Sequence, residues 1–242
     1  MLLCIPAAAI LVLSSLVPGQ TACNVLKKAA DDPDCQAFAS PGQLLDVSET
    51  PTSTKEKMLK NLLACVTAKK LTDKNRFYFK VRYSKSPYSI LMERTGLMLA
   101  AEAGFHNIAQ DFLHLQSDLD IRDYYGFTAT ILAAKNGNVD ILDLISDAGG
   151  DMNDKTNIGN TALMFAAKNG YAHVVASLLQ RHADTNLQRK SGWTALIDAA
   201  RRGYESIVNA LLKHGAKPNL QNDDTELVLK SATNRYVRQY VF

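Results

Sequence analysis

Five histidines, four cysteines and a few adjacent acids are the residues of this chain with the potential for chemistry. His106, His114, His173, His182 and His214 are scattered over the chain beyond residue 105. No His-Glu-x-x-His, no glycine-rich phosphate loop and no Gly-x-Ser-x-Gly elbow occurs. Asp223-Asp224 lies in a polar, turn-type stretch, where paired acids are solvated rather than poised as acid and base. The cysteine spacings match no zinc pattern. These observations argue against hydrolase, phosphotransferase and zinc chemistry, and no catalytic residue, metal or cofactor is expected. Cys65 falls on an apolar helical face and reads as a buried thiol. Cys23 and Cys35 flank the acidic turn Asp31-Asp32-Pro33-Asp34 and could pair in an oxidising compartment. Removal of Cys4 with a leader would leave an odd number.

The elements around these residues begin with an uncharged apolar segment. Met1 to Val17 has no Asp, Glu, Lys or Arg, and Pro18-Gly19 then break it. Residues 1–22 therefore read as a signal peptide or N-terminal anchor. A basic n-region is missing, since the first cation is Lys27. The segment is also short for a spanning helix, which needs about 20 apolar residues. Cys23 after Ala22 offers a lipidation alternative. The expectation is export, whether secreted, periplasmic or membrane-anchored; without a working signal the chain would be cytoplasmic.

Residues 23–54 read as a linker, polar and turn-rich over 37–54. Residues 55–91 read as a basic N-terminal capping region, with a separate module or a degenerate first repeat as open alternatives. Lys55 to Lys85 holds ten Lys/Arg against two acids, whereas Ser86 to the end holds fifteen against seventeen. Glu56 to Lys70 has helical periodicity, while Phe77, Phe79, Val81 and Tyr83 alternate with polar or amphipathic residues, which predicts a strand. The basic stretch suits a solvated cap face or an anionic membrane surface. Export argues against a third option, nucleic acid bound on interleaved aromatics, and no nucleic-acid partner is expected.

The rest of the chain repeats itself. Thr95, Thr128, Thr161 and Thr194 are each 33 residues apart, and each heads a ten-residue phrase such as Thr161-Ala-Leu-Met-Phe-Ala-Ala-Lys-Asn-Gly170. The Thr hydroxyl can cap a short helix, the Ala-Ala pair keeps it thin, and the Gly ends it. A second apolar-periodic stretch follows, for example Val174-Val175-Ala-Ser-Leu178-Leu179. One such unit cannot bury its own apolar face, so the units must stack.

This phrase and this period resemble the ankyrin repeat, over residues 92–222 in four copies: 92–124, 125–157, 158–190 and 191–222. The resemblance implies an all-α solenoid of stacked helix-turn-helix units, with turn fingers and capping segments, residues 223–242 forming a C-terminal cap or tail. The Pro and His that ankyrin repeats carry after the Thr are replaced, by Gly96 and Met98 in the first copy and by Ala and Ile or Met in the others. An inter-loop hydrogen-bonding group is thereby lost, which predicts lower rigidity. Glu93 stands where the other copies have Gly. By repeat position, His106, His173, His182 and His214 are structural.

The resemblance implies a non-enzymatic protein–protein interaction module that binds a protein partner on the concave face. Variable positions there are Tyr124, Tyr125, Phe127 and Trp193, which are expected to be exposed interface anchors. Lys135, Lys168 and Arg201 occupy equivalent positions and form a basic ladder joined by Arg202. The ladder favours an acidic partner, although cations near helix C-termini also complement the helix dipole. Two further readings are an exported inhibitor or effector of one enzyme, and a membrane-associated structural protein held by the N-terminal segment. The chain is expected to be monomeric.

Overall fold

The computed structural model describes residues 91–217 continuously, residues 78–82, and isolated positions between 53 and 60. The apolar segment 1–22, all of the linker but residue 53, all four cysteines, most of the basic stretch and the tail 223–242 lie outside the described residues. The described residues divide into two compact units, one within 1–100 and 105–117, the other within 101–104 and 118–242.

The first unit contains two strands, β1 (Tyr78–Arg82) and β2 (Leu91–Thr95), paired antiparallel with Tyr78 opposite Thr95 and Arg82 opposite Leu91. β1 is where period-two alternation predicted a strand. β2 was not foreseen, because its residues lie where the first repeat begins. It runs directly into helix α1 (Gly96–Ala103), which is followed by α2 (His106–His114). Thr95 Oγ1 accepts from Met98 N at 3.2 Å, so the first repeat keeps the threonine cap. Gly96 takes the place of the alanine found in the other copies because the Phe112 ring lies against it. A Cβ there would come within 2.2 Å of Phe112 Cζ.

The second unit carries three complete helix pairs: α3 (Ala129–Asn136) with α4 (Val139–Asp147), α5 (Ala162–Asn169) with α6 (Ala172–Gln180), and α7 (Ala195–Arg202) with α8 (Glu205–Lys213). Their first helices start alike. Thr128, Thr161 and Thr194 are extended, and each side chain accepts from the backbone N–H three residues on. They also end alike, on Gly137, Gly170 and Gly203 with φ of 82°, 79° and 74°. In this left-handed conformation the glycine and the next residue donate to two carbonyls of the last helical turn, for example Gly170 N to Ala167 O and Tyr171 N to Ala166 O.

The alanine pairs, such as Ala133-Ala134, are fully buried. They let α3 and α5, and then α5 and α7, pack as one layer, while α4, α6 and α8 form the other. Ile141, Leu142, Ile145, Val175, Leu178 and Leu211 fill the space between layers. Each such burial is worth about 1.5–3 kcal/mol.

The chain leaves each second helix through a left-handed residue. Gly149 and Gly215 suit that conformation, but His182 occupies the equivalent place with φ 61°. An Asx turn follows, in which Asn153 N donates to Asp151 Oδ1 and Asn186 N to Asp184 Oδ1, both at 2.8 Å.

Candidate functional site

Three fingers lead into the first helices of the second unit: residues 123–127, 156–160 and 189–193. Each is closed by the same two backbone bonds. In the first, Asp123 N donates to Phe127 O at 3.0 Å and Gly126 N to Asp123 O at 2.8 Å. Thr156 with Asn160, and Arg189 with Trp193, repeat this arrangement. Side chains reinforce the first two: Asp123 Oδ1 accepts from Phe127 N at 2.9 Å, and Thr156 Oγ1 from Asn160 N at 3.1 Å. Arg189 has no acceptor to offer and turns its guanidinium elsewhere.

Neighbouring fingers are joined. Asn157 N donates to Tyr125 O at 2.9 Å, Asn157 Nδ2 to Tyr124 O at 2.8 Å, and Lys190 N to Ile158 O at 3.1 Å. The Arg122 guanidinium binds Lys155 O at 2.6 Å and the Asp154 carboxylate. Between helix pairs, Asn169 Nδ2 donates to Lys135 O at 2.8 Å, and a His173 ring nitrogen lies 3.1 Å from Gly137 O. Asparagines, one arginine and His173 join the fingers and turns.

The eight residues singled out from the sequence do not form one surface. Tyr124 stands at a fingertip, 60% exposed, with its ring edge-on to Tyr125 at 5.2 Å. Ile158, at the next tip, is 59% exposed. The expectation of exposed anchors holds for Tyr124 but not for Tyr125 and Trp193, which are half-buried, and fails for Phe127. Phe127 is only 8% exposed, because its ring packs on Phe165 at 5.4 Å and Lys135 Nζ covers it at 4.9 Å. Lys135 is thus engaged over a ring at one end of the basic ladder.

The other four come together. Lys168, Trp193, Arg201 and Arg202 line an open cleft of about 360 Å³, with Arg189 and Asp198. Arg189 lies 4.6 Å and Arg201 5.2 Å from the Trp193 ring centre. Arg189 Nη1 reaches Asn160 Oδ1 at 3.3 Å and Asp198 Oδ2 at 3.5 Å, while its Nε donates to Ser191 Oγ at 3.0 Å. Asp198 is 4% exposed. Burial pushes its carboxyl above the ordinary range, and Arg189, Lys168, Arg202 and Arg201 pull it partly back.

The repeat alignment explains why a cleft opens here. Phe127 and Asn160 occupy the same repeat position, as do Phe165 and Asp198. The ring pair that closes the junction of one repeat with the next is replaced, one repeat later, by an amide and a carboxylate bridged by Arg189. Lys168 has Asn160, not a ring, at the place where Lys135 has Phe127. Arg189 and Asp198 were missed in the sequence, although a signal existed. Asp198 is the one charged residue at a position otherwise held by Leu99, Leu132 and Phe165.

Thin first helices capped by threonine and ended by left-handed glycine, stacked through fingers at a 33-residue interval, define a helical-repeat solenoid. Residues 53–156 and 133–222 match the ankyrin repeats (3 copies) family, and the chain belongs to it. The match takes in the segment 55–91 read above as a basic cap. No curated protein matches the chain. Ankyrin repeats are generally protein–protein interaction modules and typically non-enzymatic.

Proposed function

We propose that this protein is a non-catalytic binding module that docks a partner protein across the concave face of its ankyrin stack, the face made by the fingers and the first helices. The observation that carries this reading is the convergence of Lys168, Arg189, Trp193, Arg201 and Arg202 on one open cleft in that face. Exposed Tyr124 and Ile158 add apolar area at the neighbouring fingertips. The finger hydrogen bonds support docking with little rearrangement, which lowers the entropic cost of association. With residues 1–22 acting as a signal or anchor, the same proposal has the protein work outside the cytosol or at a membrane.

The test is affinity capture with mass spectrometry, using the full chain and a Lys135→Glu/Lys168→Glu/Arg201→Glu variant side by side. A partner retained by the native chain and lost by a folded variant is the expected result. Identical partners for both, or none for the native chain, would refute docking on this face.

A further inference from the structure

The geometry points to the cleft beside Trp193 as a site for the carboxylate side chains of an acidic segment of the partner protein, received by Arg201, Arg202 and Lys168. This inference rests on the protein-binding reading above and specifies the chemistry that the face recognises.

Charge is the first argument. Four cations and one acid line the cleft, an excess of three positive charges in about 360 Å³. The single acid does not neutralise the mouth. Asp198 is buried at the floor and engages Arg189, whereas Lys168, Arg201 and Arg202 are exposed. Preorganisation is the second. Arg201 stacks against Trp193, which limits the freedom of a guanidinium whose planar fork matches a carboxylate. Arg189 is held from behind by Asn160, Asp198 and Ser191, and it supports the ring within the cleft at 4.6 Å. It is a positioning residue, acting through Trp193 and the field of the site.

The preceding junction is built differently. There the Phe127 and Phe165 rings close the space; the contact of Lys135 with Phe127 is matched here by Arg201 over Trp193, so the ring pair is what differs. The helix-dipole explanation for the cations applies equally to Lys135, Lys168 and Arg201. It accounts for neither the exchange of a ring pair for a polar pair nor the cleft that results. Side-chain carboxylates on a flexible segment fit an open site with spread cations better than a single compact anion would.

Trp193 is the only tryptophan of the chain, so its emission reports the cleft directly. The probe is the peptide Glu-Ser-Glu-Glu-Ser-Glu, titrated into the full chain, with Gln-Ser-Gln-Gln-Ser-Gln and inorganic phosphate as parallel arms. The expected result is a saturable change in Trp193 emission with the glutamate peptide alone, weakened by salt. Affinity should fall about tenfold or more in Arg201→Ala/Arg202→Ala and by a smaller factor in Lys168→Gln, and stay unchanged in Lys213→Ala. Circular dichroism of each variant confirms the fold, and polarisation of a labelled glutamate peptide gives a second readout free of Trp193. No saturable response to the glutamate peptide, an equal response to the glutamine peptide, saturation by phosphate alone, or unchanged affinity in the folded double variant would each overturn the assignment. If capture still depends on the concave face while the glutamate peptide fails, the module stands and only the cleft's ligand is wrong.

Discussion

Adding one methyl group at the left-handed glycines would test the repeat geometry most sharply, because the same backbone conformation occurs in three different surroundings. Gly137, Gly170 and Gly203 all end first helices with φ between 74° and 82°. An alanine in that conformation costs about 1–2 kcal/mol. Lower entropy of the unfolded chain returns about 0.4–1 kcal/mol of this. Gly203→Ala meets no atom within 4 Å, so its net loss should be at most about 1.6 kcal/mol, from the backbone alone. At Gly137 the new Cβ would touch Tyr171 Cζ at 3.3 Å, a contact that small shifts relieve. At Gly170 it would lie 2.8 Å from Tyr204 Cζ and 3.1 Å from both Cε atoms. The half-buried Tyr204 ring must move, which adds roughly 1–2 kcal/mol of overpacking. The expected order of destabilisation is Gly170→Ala, then Gly137→Ala, then Gly203→Ala. Urea unfolding of the full chain followed by circular dichroism measures it. A double-mutant cycle of Gly170→Ala with Tyr204→Ala should recover most of the excess. A stabilising Gly203→Ala would refute the left-handed assignment, and equal losses at all three sites would refute the Tyr204 contact.

Three further outcomes follow from the same packing. Phe127→Ala should destabilise the protein by about 3 kcal/mol, whereas Tyr124→Ala should change stability by less than about 0.5 kcal/mol; comparable losses in thermal melts would contradict their opposite burial. His182→Gly, which relieves a left-handed non-glycine, should raise the melting temperature with a gain of up to about 1 kcal/mol, and a lower melting temperature would mean the histidine contributes more than its strain costs. Asp198→Asn should be at least as stable as the native chain at neutral pH, since burial raises the Asp198 pKa and the folded state disfavours its ionised form. That advantage is absent below the unfolded-state value near 3.8 and grows as pH rises through the folded-state pKa. A native chain more stable than the variant at neutral pH, with the gap closing in acid, would reverse the assigned sign.

Much of this architecture is written locally. The 33-residue interval of Thr95, Thr128, Thr161 and Thr194 sets where the first helices begin, because a threonine hydroxyl caps whatever helix follows it. Gly137, Gly170 and Gly203 set where they end, because glycine adopts a left-handed dihedral at little cost. The alternation around Val81 likewise announced a strand. These are interactions within a few residues, so residue type and order determine them.

The candidate site was legible only in part, because burial depends on the neighbouring repeat. Phe127 and Trp193 hold the same repeat position, yet Phe127 is covered because the next repeat offers Phe165, and Trp193 lines a cleft with two guanidiniums. Asp198 looked like one more helix residue until stacking placed Asn160 and Arg189 against it. The ladder of Lys135, Lys168 and Arg201 holds as a spacing, but its surroundings differ from rung to rung: Lys135 lies over Phe127 and Arg201 over Trp193, while Lys168 has Asn160 at the corresponding place. Sequence by itself determined that helix pairs form, where they start and stop, and that they must stack. Tertiary structure decided which side chains remain open to a partner, because that depends on what residues one full repeat away bring into contact.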